Sequence, residues 1–299
     1  MSATAEATLE LQEELPEKKS WTKVVLGLIR SKPLGAAGAF IVLVMILMAV
    51  FAEIVAPFDP EQNSYELMLM APDWTHLFGT DQFGRDIFSR IIYGARTALF
   101  VGFVSALVGA TTGLVLGVSS AYFGGRFDLI FQRVMDIFMA FPLIILALAV
   151  VAIFGTGTQN VILAITIPFI PRCARVVRSN ALAIREIPYV DAARALGYSH
   201  TRIIMQHMIP NVMAPFLIMI SAFVGQAILL EASLSYLGLG VQEPIAAWGL
   251  MLQGGAEEFA ESAPWIPIFP GVAISLAVFG FNLFGDAVRD VLDPKLRSQ

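Results

Sequence analysis

The 29 residues TALFVGFVSALVGATTGLVLGVSSAYFGG, positions 97–125, contain no Asp, Glu, Lys or Arg. A run of this length decides the fold class, because a helix needs roughly 20 predominantly apolar residues to cross a hydrocarbon core about 30 Å thick. Four further windows are equally free of those charges: 33–52, 137–171, 203–230 and 262–285. The 137–171 window is too long for one crossing, and the polar turn Gly155-Thr156-Gly157-Thr158-Gln159-Asn160 divides it in two. Six spans result. The fourth, at 161–180, is the least regular, since Pro168, Pro171, Arg172, Arg175 and Arg178 interrupt it. Composition agrees: 57% of the 299 residues are hydrophobic and only 14% charged, where a soluble domain carries about a quarter. The sequence thus predicts an all-α integral membrane protein and excludes a soluble helical domain.

The net charge of −5 says little about partners, because each side of a bilayer meets only its own loops. The first 19 positions hold five acidic residues and two lysines with no apolar stretch, so this tail is expected to lack a core. Its acidic character and the spanning length of 33–52 argue against a cleaved signal peptide and for a retained anchor. Lys and Arg concentrate in cytoplasmic loops. With both termini inside, sixteen of the 19 fall on the cytoplasmic side and only Arg85, Arg90 and Arg96 remain outside. External segments are then predicted at about 58–96, 155–160 and 233–263. The chain divides into a tail (1–32), an anchor helix with an external segment (33–96) and a core (97–299) containing a cytoplasmic loop at 181–210. A lone cysteine, Cys173, and three histidines give no disulfide and no zinc spacing, so no metal is expected.

Gly109, Gly113 and Gly117 recur every four residues and form a stripe where a neighbouring backbone can approach closely. The spacing alone is compatible with a contact inside one chain or between two subunits. The loop Arg185-Glu186-Ile187-Pro188-Tyr189-Val190-Asp191-Ala192-Ala193-Arg194-Ala195-Leu196-Gly197-Tyr198-Ser199-His200 predicts a short helix at 188–196. Pro188 suits its first position and Gly197 the left-handed position just past its end, while Ser199 caps the helix that follows. A helix-turn-helix is more than a connector of about 2–8 residues requires. Small Ala192, Ala193 and Ala195 allow close approach by a partner, and Asp191 and Arg194 supply orienting charges.

Asp191-Ala192-Ala193, three residues, Gly197, nine residues, then His207-Met208-Ile209-Pro210 resembles the E-A-A-x3-G-x9-I-x-L-P coupling loop of ATP-binding-cassette importer permeases. Asp191 stands where Glu is usual and His207 where Ile is usual; the latter, with Pro210-Asn211, is similar to dipeptide and oligopeptide permeases. Three more stretches resemble the second membrane subunit of that subfamily: His76 to Arg90 continuing Tyr93-Gly94-Ala95-Arg96, Glu231 to Gly240 with Trp248 to Leu252, and Phe281 to Arg297.

The resemblance implies an importer with two different permease subunits, two cytoplasmic ATPase subunits and an external solute-binding protein, in a bacterial inner membrane. Tyr189, Asp191, Ala192, Ala193, Arg194, Leu196, Gly197 and Pro210 are then the residues that couple to an ATPase. The chain has no G-x-x-x-x-G-K-[ST] phosphate loop, so ATP and Mg belong to the partner subunits and this chain binds no cofactor, performs no catalysis and meets no nucleic acid. Thr80, Asp81, Gly84, Arg85 and Asp86 fall in the external segment, where they either dock the binding protein or brace the segment, the latter being the preferred reading. Glu231 is an ionisable group at membrane depth, with packing or gating as strong a reading as solute contact. His207 is expected to be structural, and the arginines at 172, 175 and 178 to be a solvated helix end facing phosphate headgroups. An ion-gradient-driven secondary transporter is the alternative, but internal repeats and intramembrane acids for ion coupling are lacking. The solute is open among dipeptides, longer peptides, glutathione, haem and nickel complexes.

Overall fold

The computed structural model describes Gly27 and residues 30–292. The acidic tail and the last part of the C-terminal motif, from Asp293, lie outside the described residues. Among those described, no strand is present, only an isolated bridge between Thr80 and Asp86. The main helices are α1 (Pro33–Val50), α2 (Ile87–Phe123), α3 (Gly125–Met139), α4 (Leu143–Phe154), α5 (Thr158–Arg185) and α6 (Pro188–Ala195). They are followed by α7, the helical run His200–Tyr236, then α8 (Trp248–Glu258) and α9 (Trp265–Leu292). Five of these are long and apolar enough to cross a membrane, and α3 with α4 makes a sixth if the bent pair is one span.

Helix α2 is 37 residues long, about 55 Å at 1.5 Å per residue, and begins at Ile87, ten residues before the uncharged window. The helix thus extends outward past the predicted start of the span at 97. Asp86 caps the helix, its Oδ2 accepting from the Ser89 N–H at 2.8 Å. The two arginines in the first turns of α2 are satisfied by carbonyls: Arg90 Nη1 donates to Pro60 O at 2.8 Å and Arg96 Nε to Ala49 O at 3.0 Å.

The glycine stripe packs α2 on α5. A Cβ at Gly113 would lie 2.6 Å from the Cys173 Cβ, and one at Gly117 would lie 2.5 Å from Ala174 O, so the stripe is a contact inside one chain. Helix α5 runs unbroken through Pro168 and Pro171 to Arg185, five residues past the predicted span. Arg175 and Arg178 pair with Asp136 and Asp128 on α3. The third span is not straight. Phe141 precedes Pro142, a position that disfavours helical backbone, and α3 and α4 meet at 90°. The break at 155–157 lies where the polar turn predicted it, with Gly155 at φ +89 and Gly157 at φ +113.

The first and last long helices pair through Gly35 and Gly38, where a Cβ would meet Ala287 Cβ at 2.3 Å and Phe284 N at 2.6 Å. Lys32 Nζ and Asp290 Oδ2, 2.6 Å apart, close the same seam. Within the segment predicted at 233–263, α8 folds back against the bundle. Trp248 Nε1 donates to Ile91 O at 3.0 Å, and a Cβ on Gly249 would come within 2.2 Å of Ala232 O. The α6 loop and segment 56–86 thus lie at opposite ends of α2.

Candidate functional site

Helix α6 begins with Pro188 at its first turn, where the missing N–H has no intrahelical partner to lose. It ends in a paired-bond turn: the Tyr198 N–H donates to Ala193 O at 3.1 Å and the Gly197 N–H to Arg194 O at 2.9 Å. Such a turn needs a left-handed residue, and Gly197 supplies it at φ +77. Ser199 Oγ accepts from the Arg202 N–H and starts α7. Only Val190 and Ala193 of α6 are buried. Tyr189, Asp191, Ala192, Arg194 and Leu196 are exposed, Leu196 by 73%. The helix therefore stands on two small side chains and presents the rest of its surface outward.

Two sets of contacts tie α6 to the bundle. Tyr189 Oη donates to His207 O at 3.3 Å and accepts from Asn211 Nδ2 at 3.2 Å, while the Tyr198 ring stacks on His207 at 6.2 Å. Arg194 bonds Asp191 Oδ1 at 3.1 Å and lies 5.0 Å over the Tyr122 ring at the end of α2. Tyr122 Oη is in turn 2.7 Å from His200 Nδ1. Pro210 follows directly: it has no N–H to give, and the backbone widens over 204–208 so that the Ile209 N–H reaches Ile204 O. The structure thus brings all eight predicted coupling residues to one end of the bundle.

At the opposite end the predicted polar residues turn inward. Thr80 is fully buried, accepts from the Met70 N–H at 2.9 Å and donates to Leu67 O. Gly84 has φ +72, and a Cβ there would fall 1.8 Å from Ser64 O, which leaves room for glycine alone. Asp86 accepts from Ser89 and lies 2.9 Å from His76 Nδ1. Arg85 Nε donates to Asp81 Oδ2 at 2.7 Å, and its two Nη atoms form a fork on Glu243 at 2.6 and 3.2 Å. Burial alone would lower the Arg85 pKa, but the Glu243 hydrogen bonds and the Asp81 charge outweigh it and hold the pKa above the ordinary arginine value. Fully buried Arg90 joins the group, 3.8 Å from Asp81 and 3.6 Å from Glu243. This network fixes segment 56–86 to the loop between α7 and α8.

Glu231, on α7, is 1% exposed and accepts from Ser235 Oγ at 2.7 Å; the same hydroxyl accepts from the Val241 N–H at 3.1 Å. Its carboxylate thus faces a packed turn within the chain. Glu243, Tyr122 and His200 complete these sites yet were not legible as site residues, since their partners lie 78 to 158 positions away. Among the described residues no group of three or more His, Cys, Asp or Glu could hold a metal ion.

Comparison with known proteins settles the family. A family model described as binding-protein-dependent transport system inner membrane component matches residues 113–298. The chain belongs to this family. A second model, the N-terminal TM domain of oligopeptide transport permease C, matches residues 20–72. This permease is 43% identical to a putative peptide transport system permease of Brucella abortus over 86% of this chain and 88% of that one. It is 42% identical to the dipeptide transport system permease DppC of Alkalihalophilus pseudofirmus over 90% and 88%. It is 40% identical to the glutathione transport system permease GsiD of Pectobacterium atrosepticum over 98% and 97%. The inward-facing MetNI methionine ABC transporter superposes with a TM-score of 0.55 at 19% identity, covering 69% of this chain and 98% of that one; that likeness is one of fold. The chain is a permease subunit of an ATP-driven importer and a component of the inner membrane.

Proposed function

We propose that this permease forms half of the translocation pathway for short peptides or peptide-like solutes such as glutathione, with α6 as the lever through which an ATPase subunit acts on it. The relatives named for peptide, dipeptide and glutathione transport support the solute class. The observation that carries the lever is α6 itself, a capped helix resting on Val190 and Ala193, anchored by Tyr189 and Arg194, with Asp191, Ala192 and Leu196 exposed. A cleft on an ATPase that closes around such a helix moves it as a rigid body, because both of its ends are held by hydrogen bonds.

In this reading the α6 end is cytoplasmic, as are both termini. ATP and Mg reside on two partner ATPase subunits, a second homologous permease supplies the other half of the pathway, and an external binding protein delivers solute. The inward hydrogen bonds and ion pairs of Asp81, Arg85 and Asp86 brace the segment on which that protein docks, and its outward surface mixes exposed Tyr65, Trp74 and Leu77 with the acids Asp59, Glu61, Glu66 and Asp73.

Reconstitution tests the proposal. Proteoliposomes containing both permeases, both ATPases and the binding protein are expected to take up labelled alanyl-alanine only with ATP. Uptake by the permeases alone, driven by an ion gradient, would contradict it.

A further inference from the structure

Arg172 lies 14 residues from one end of α5 and 13 from the other, about 20 Å from each at 1.5 Å per residue. It is therefore near the middle of a membrane-crossing helix and not at its end. Arg175 and Arg178, one and two turns on, have acids on α3. Arg172 has none among the described residues; its Nη1 donates instead to the neutral Oε1 of Gln226, on α7, at 3.3 Å.

The surroundings fix which way this pair looks. Phe169 and Phe223 stack at 4.2 Å and are buried, sealing the seam between α5 and α7 one turn away on each helix. Gln226 is exposed and Arg172 partly so, so the pair sits where the seam opens onto a face that the chain's own helices leave uncovered. A charged side chain within a membrane-crossing helix is costly against lipid and faces a bundle interior or a water-filled cavity. In a permease that supplies half of a pathway, that cavity is the pathway.

We propose that Arg172, oriented by Gln226, is a binding site within the pathway for a carboxylate of the solute, such as the C-terminal carboxylate of a peptide. The inference rests on the peptide-importer reading above and adds the group recognised and the residue that recognises it. A guanidinium offers a planar fork that matches a carboxylate in a bidentate geometry, and the bond to Gln226 occupies one Nη only. A neutral partner orients the fork without neutralising it, which keeps the charge available to a passing anion.

Two measurements separate this inference from the reading beneath it. In the first, the assembled transporter in proteoliposomes is assayed for ATP-dependent uptake of labelled alanyl-alanine. Failure of the unaltered complex overturns the peptide reading and this inference with it. In the second, the complex without binding protein is assayed for direct binding of alanyl-alanine in competition with its C-terminal amide. The unaltered complex is expected to prefer the free carboxylate by roughly tenfold or more, as for a hydrogen bond to a charged group. Arg172→Gln should abolish that preference while the second permease remains bound, and Arg172→Lys should restore part of it. Binding without preference in the unaltered complex, retention of the preference by Arg172→Gln, or loss of the second permease from that variant would each overturn the inference. The last result would assign Arg172 to an ion pair between subunits.

Discussion

Gly197 carries the end of α6 at φ +77, and a Cβ added there would meet no atom within 4 Å. The cost of a side chain is thus conformational, about 1–2 kcal/mol for a residue forced into the left-handed region. Gly197→Val is expected to leave the bundle assembled but to loosen the α6 turn, lowering solute-stimulated ATP hydrolysis in the complete transporter while basal hydrolysis persists. Equal stimulation in variant and parent would show that the turn does not matter. Asp81 stands in a different situation, because it is the near partner of two buried arginines, Arg85 and Arg90. Asp81→Ala leaves both with only the half-exposed Glu243 and should destabilise the protein, by up to the roughly 3–5 kcal/mol of a fully broken buried pair. A thermal unfolding scan in detergent checks this; an unchanged midpoint would mean that Glu243 alone suffices.

The helices themselves are held by glycines whose neighbours differ, and substitution effects should follow those neighbours. Gly113→Leu drives a side chain into Cys173 and the α5 backbone at 2.6–3.0 Å and is expected to cost at least the 1–3 kcal/mol typical of overpacking, seen as loss of folded protein. Gly271→Ala meets only Leu252, at 3.8 Å, and should stabilise α9 by about 0.5–1 kcal/mol through helix propensity, read as a higher unfolding midpoint. The spans were legible because a charge-free run has few other uses in a folded chain. Their limits were not, because Arg90, Arg96, Arg175 and Arg178 mark ends only if unpartnered, and each has a carbonyl or an acid from another element. The bend between α3 and α4 was equally hidden, since Pro142 signals a break but not its angle.

Across the whole molecule, α6 touches the two longest helical runs, α2 and α7, each of 37 residues. Tyr189 reaches His207 and Asn211 on α7, and Arg194 and His200 meet Tyr122 on α2. A displacement of α6 therefore enters the bundle at two places at once. Tyr122→Leu keeps the apolar contact while removing the hydroxyl and the ring under Arg194. It should lower uptake per ATP hydrolysed without loss of assembly, and an unchanged ratio would confine coupling to the α7 route. The local motif from Asp191 to Pro210 could be read from the sequence because caps and small residues are written in consecutive positions. Its anchors on α2 could not, being set by tertiary packing. The most direct test of the lever is a crosslink. Leu196→Cys places a thiol at the exposed C-terminal end of α6, where Leu196 is 73% exposed, and native Cys173 is buried and does not compete. In the assembled transporter a short bismaleimide is expected to join this variant to an ATPase subunit, with no labelling by an impermeant maleimide from outside sealed cells. No crosslink to either ATPase, or labelling from outside, would contradict the account.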